Sequence, residues 1–169
     1  MLYHRPIIVS ALVLVFLMAF WPVLTKPLVT PRLQTEKLPA QVVVAPSNFQ
    51  TIKVKDQQLR VEVVDSASAM TLGLSGRDQI GSDGMLFILP RPQVARFWMK
   101  DMKFDLDLVW LGQGRILAIT AQVPAPDGHV PDHQLPIYTS PPQTDMVLEV
   151  VAGWAQTHGW QAGDQVVLW

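Results

Sequence analysis

The 169-residue chain has no cysteine, which removes disulfides, thiolate metal sites and thiol nucleophiles together. Charge is scarce as well. Asp, Glu, Lys and Arg make up 16% of the residues, and 13 basic against 14 acidic side chains leave a formal net charge of −1. That balance supplies neither the basic face that draws a phosphate backbone nor a block of like charge, so no nucleic acid is expected as a partner. No internal repeat is visible, and there is no phosphate-binding glycine loop and no H-E-x-x-H pair. The "GLSG" of Gly73–Gly76 lacks the spacing of a nucleophile elbow.

Against these absences stands one long apolar run. Pro6 to Leu24 carries no charge and a single polar residue, Ser10. At about 1.5 Å per helical residue, Ile7–Leu24 just spans a hydrocarbon layer of about 30 Å. The run ends in Trp21, Pro22 and Lys26 with no small-residue cleavage triplet, so residues 1–25 are expected to be a retained membrane anchor rather than a cleaved signal peptide. Arg5 on one flank and Lys26, Arg32 and Lys37 on the other leave the orientation undecided by charge. A folded domain behind a single N-terminal anchor is expected on the extracytoplasmic side. Residues 26–48 hold prolines 27, 31, 39 and 46 among polar residues, the composition of an extended linker, and residues 49–169 form the globular domain.

In that domain Ile52 and Val54, then Leu59, Val61 and Val63, alternate with polar residues around Asp56–Gln58, the pattern of two half-buried strands in a hairpin. Ser66 or Ser68 begins a short helix that Gly73 and Gly76 stop. Strands follow at Gly84–Pro90, Val94–Lys100, Asp107–Leu111 and Arg115–Val123. After a proline-rich loop, Pro124–Pro142, come a strand at Asp145–Gly153, a helical turn at Trp154–Trp160 and a last strand in "QVVLW". Short strands without strand–helix alternation predict a mainly β domain, a small curled antiparallel sheet or partly open barrel with one or two short helices.

These segments, taken in order, resemble a known family. "LGLSGRDQIGSDGMLFILP", "FWMKDMKFDLDLVWLGQGRILAI" and "MVLEVVAGWAQTHGWQAGDQV" are similar to three successive blocks of the Domain of Unknown Function 192 family, small bacterial and archaeal proteins often carrying an export or anchor segment. The matching positions include Gly73, Leu74, Arg77, Gly84–Phe87, Phe97–Lys100, Leu106–Asp107, Leu148–Glu149, Gly153 and Gly163–Asp164. The resemblance implies a compact β-rich domain and no particular activity. Asp101 and Asp105 stand where the family pattern has Asn and Pro, so no role carries over to either.

The segment "RFWMKDMKFDLDLVW", Arg96–Trp110, sets two tryptophans, basic side chains and three aspartates within what otherwise reads as buried strand. Burying charge is costly unless it is paired or serves a ligand. Trp98, Lys100 and Asp107, with Arg77, are therefore the candidate ligand-binding residues: an apolar wall beside a cation and a carboxylate. The expected function is a membrane-tethered binding module for a small molecule, glycan or peptide, and it requires Trp98 at the surface of a cavity. The alternative is a small acid–base or hydrolytic enzyme built on Asp105, Asp107 and Lys100, assisted by His129 or His133; the cofactor and any catalytic residues stay open. A third reading is a sheet edge that accepts a partner strand. "DGHVPDH", Asp127–His133, offers two imidazoles and two carboxylates, but a proline-rich loop lacks the rigid surroundings that hold metal ligands. No metal site is expected there.

Overall fold

The structure, a computed structural model, describes residues 48–169. The expected anchor over 1–25 and nearly all of the linker lie outside the described residues. Among the described residues no helix is long and apolar enough to cross a membrane.

Nine strands and two short helices follow one another: β1 (Asn48–Val54), β2 (Gln57–Val64), α1 (Ala67–Leu72), β3 (Gly84–Gln93), β4 (Arg96–Phe97), β5 (Leu106–Gly112), β6 (Arg115–Val123), β7 (Tyr138–Thr139), β8 (Thr144–Val151), α2 (Trp154–Thr157) and β9 (Val166–Leu168). Seven of them form one strongly curled sheet in the order β6-β5-β8-β3-β2-β1-β9, while β4 and β7 pair separately. The curl brings the two edges together at one end. There Ile116 N–H donates to the Asp164 carbonyl at 2.9 Å, Gly163 N–H to Ile116 at 2.8 Å and Val166 N–H to Gly114 at 2.8 Å. This half-barrel agrees with the expected mainly β fold.

The β1–β2 hairpin turns on Lys55, which takes φ 55°, and pairs Ile52 with Leu59 and Val54 with Gln57. Ser66 Oγ accepts from Ala69 N–H to start α1, and Gly73, at φ 49°, stops it. One pairing differs from the expected antiparallel pattern: β2 and β3 run parallel. The chain between them, α1 and the loop that follows, is long enough to carry it back to the starting end. A second difference concerns Val94–Lys100, of which only Arg96–Phe97 is strand. Pro90 and Pro92 have no N–H to give, and the register of β3 against β8 slips between Ile88 and Gln93. The chain then leaves the main sheet.

Alternation along the strands gives the sheet two apolar faces. Leu86, Val109, Leu111, Leu148 and Val150 point into the half-barrel with Ile52, Val61 and Trp160. Met85, Phe87, Leu106, Leu108, Trp110 and Val147 point out, under a layer that includes Leu74, Ala95, Met99 and Met102. This second layer is the roof over the candidate site.

Candidate functional site

β5 and β8 are neighbours, with Leu108 opposite Glu149 and Asp107 opposite Val150. Adjacent side chains on a strand leave by opposite faces, so Asp107 enters the half-barrel interior and Glu149 the outer layer. Both are buried, Asp107 completely and Glu149 to 5% exposure.

Asp107 is saturated by backbone. Its Oδ1 accepts from Gln122 N–H at 2.8 Å and from Gly153 N–H at 3.1 Å, and its Oδ2 accepts from Ala155 N–H at 3.0 Å. The pairing of β5 with β6 explains the first contact. Leu106 faces Val123 and Leu108 faces Thr120, so two residues of β6 oppose Asp107 alone. The bulged Gln122 sits at φ 53°, and its N–H, lost to the ladder, is recovered by the carboxylate. The other two contacts secure the start of α2, where Gly153 takes φ 85°. Asp107 therefore departs from the expectation that it faces a ligand. It stands inside the protein as a fastening between a bulge and a helix start.

Arg77, Lys100 and Asp105 are also engaged within the protein. Arg77 makes a two-pronged ion pair with Glu62, at 2.7 and 3.0 Å, and the pairing raises the guanidinium pKa further. Lys100 pairs with Asp132, and its Nζ lies 5.5 Å from the centre of the Trp98 ring. Asp105 accepts from Ala125 N–H at 2.8 Å through Oδ1, tying the long loop to the start of β5. His133 lies beside Gln134, while His129, Lys100 and Asp101 line a cavity of about 250 Å³. Among the described residues no group of three or more His, Asp or Glu side chains is placed to hold a metal ion.

Trp98 is 40% exposed and lines a larger cavity of about 460 Å³, which lies between the outer face of the sheet and its roof. Phe87, Leu89 and Gln93 of β3 line it from the sheet; Met70 to Ser75, Val94 to Trp98 and Met102 line it from the roof. Gly73 lies over the Phe87 ring, where a Cβ would meet it at ordinary contact distance, and its φ of 49° is the reason glycine stands there. Phe87 and Phe97 meet edge to face at 5.1 Å between ring centres, and Phe97 continues to Trp110 at 5.6 Å.

One acid opens onto this cavity: Glu149. None of the described residues hydrogen-bonds its carboxyl, and burial pushes its pKa up to about 8. Glu149 was missed as a site residue in the sequence, although a signal was present: one acid in the apolar run "MVLEVV". Alternation there predicts burial of Glu149 on one face or the other, but not which face holds a cavity.

The comparisons agree with this architecture. The crystal structure of a protein described as a candidate transcription regulator from Sinorhizobium meliloti 1021 is similar at 25% identity, with a TM-score of 0.63 over 72% of this chain and 95% of that one. A protein of unknown function from Novosphingobium aromaticivorans DSM 12444 is similar at 26% identity, with a TM-score of 0.64 over 74% of this chain and 89% of that one. The search against curated proteins finds no match. The sequence pattern of DUF192, described as Uncharacterized ACR, matches residues 50–168, and with that match over most of its length the chain belongs to the DUF192 family.

Proposed function

We propose that this domain is a binding module for a small molecule with an apolar body, taken into the cavity between Phe87, Phe97 and Trp98 and met at its polar end by Glu149, in a protein tethered to the outer side of a membrane by its N-terminal segment. The observation that carries this reading is the Glu149 carboxyl, without a protein hydrogen-bond partner, in a cavity of about 460 Å³ that Phe87, Phe97 and Trp98 help to wall. A buried acid without a hydrogen-bond partner costs stability, and a ligand group would offset that cost. The volume falls within the range of small-molecule sites, about 300–1,000 Å³. A half-exposed tryptophan at the mouth is the usual amphipathic wall of such a site.

Methionine methyl groups provide the test. Met70 and Met102 line the cavity, whereas Met146 packs against the opposite, inner core. In the full chain carrying ¹³C-methyl methionine, small amphiphilic fragments are expected to shift the Met70 and Met102 signals together and to leave Met146 in place. A fragment set that moves none of the three, or moves Met146 as much as the other two, would sink the reading.

A further inference from the structure

Resting on the binding reading above, the lining of the cavity also specifies the charge of its ligand. Phe87, Phe97 and Trp98 contribute aromatic surface, and Met70 and Met102 contribute polarizable thioethers. Ring faces carry negative electrostatic potential and attract cations within about 6 Å. The acid on the sheet side adds the complementary charge whenever it is ionised, and it is the one acid in the wall. Every other charged side chain near that face is already paired or turned to solvent. Glu62, on the same outer face beyond Met85, is held by Arg77. Arg96 at the rim is exposed, where water and salt screen it. Asp107 lies on the opposite face of the sheet. The residues of α1, Ala67–Leu72, include no titratable side chain, and neither do the cross-strand neighbours Met85 and Leu108.

We infer that the cavity takes an organic cation, an ammonium group on a body of apolar carbon, with its charge against the Glu149 carboxylate and its body against Phe87, Phe97 and Trp98. A neutral ligand would bring no countercharge to the carboxylate, and an anion would meet the acid and the aromatic surface together. Binding then proceeds as an exchange: the Glu149 carboxylic acid gives its proton to the buffer, and the carboxylate pairs with the incoming ammonium. The protein releases one proton per cation taken up wherever Glu149 starts protonated, and no bond to carbon forms or breaks.

The test uses choline and its neutral carbon isostere, 3,3-dimethylbutan-1-ol, titrated into the full chain with the Met70 and Met102 methyl signals as readout. Choline is expected to bind more tightly as pH rises, by about tenfold between pH 6 and 7, with the gain levelling off above about 8. Calorimetry in buffers of different ionisation enthalpy is expected to show close to one proton released at pH 7. Glu149→Gln should remove the pH dependence and weaken choline at pH 8 by tenfold or more, a loss far greater than that of the alcohol. An unchanged Met146 methyl signal establishes that the variant is folded. If the alcohol binds as tightly as choline with no dependence on pH, the cation assignment is overturned while the cavity stands as a binding site. If neither probe moves Met70 or Met102, the cation assignment also falls, and the fragment titration decides the binding reading separately.

Discussion

On β5, Asp107 meets three backbone N–H groups in the half-barrel interior. On β8, one residue out of register with it, Glu149 meets a cavity and no hydrogen-bond donor of the protein. The two acids share a sheet and the same near-complete burial, yet a single step in strand parity sends them to opposite faces. Burial by itself is therefore uninformative about role. The partner list decides it: an acid whose lone pairs are filled by backbone holds the fold together, and an acid left unfilled at a cavity wall is a cost to the fold. Glu62 lies between these extremes, on the same face as Glu149 but held by Arg77.

The largest expected effect comes from breaking the filled side of this comparison. Asp107→Asn turns amide hydrogens toward N–H groups that need an acceptor, and should lower unfolding stability by about 3–5 kcal/mol, measured by urea titration. A loss under about 1 kcal/mol would show that the bulge and α2 do not depend on the carboxylate.

The next effect has the opposite sign. Glu149 ionises near its ordinary value of 4.5 in the unfolded chain but only near 8 in the folded one, so between those pH values the folded state carries the extra proton. Stability should therefore fall as pH rises through that window and level off above it. Glu149→Gln should flatten the profile and leave the variant more stable than the parent at pH 8 by on the order of 2–4 kcal/mol. Thermal melts of both proteins at pH 5, 6.5 and 8 check this; parallel curves would place Glu149 in a solvated setting instead.

Arg77→Met sharpens the middle case, by giving Glu62 the isolation that Glu149 already has. Because the pair is only partly buried, the expected loss is about 1 kcal/mol, and the double variant with Glu62→Gln should recover most of it. The smallest effect is expected at Lys100–Asp132. Both side chains are open to solvent, so Asp132→Asn should leave the urea midpoint within experimental scatter. A clear drop there would mean that the loop over the smaller cavity contributes to the fold.

Much of this architecture is legible in the residues. Alternation placed the β1–β2 hairpin, and short apolar runs bounded by glycine and proline placed the strands at β5, β6 and β8, because both signals are local. Ser66 and Gly73 marked α1 through capping chemistry that acts over three or four residues. The parallel pairing of β2 with β3 was not legible, since nothing in α1 states which neighbour the returning strand will choose. The Val94–Lys100 segment looked like a strand because Phe97 and Met99 alternate with polar residues; two prolines upstream had already moved it off the sheet.

For the site, the sequence singled out Trp98, which does stand half-exposed at the cavity. It grouped Trp98 with Asp107, Lys100 and Arg77, and the structure puts those three on other duties. Proximity along a chain was the reason for the grouping, and strand parity undid it.

The sequence by itself determined the family, the mainly β character, the position of most strands and the presence of acids within apolar strands, because composition, periodicity and caps are properties of neighbouring residues. Only the tertiary structure decided which acid would be fastened and which left open. That choice depends on a bulge at Gln122, a helix start at Gly153 and a roof brought across the sheet by Pro90 and Pro92, groups brought together by a curled sheet from parts of the chain 15 to 60 residues apart. Hydrogen-bond partners act through space, and the space was set by the fold.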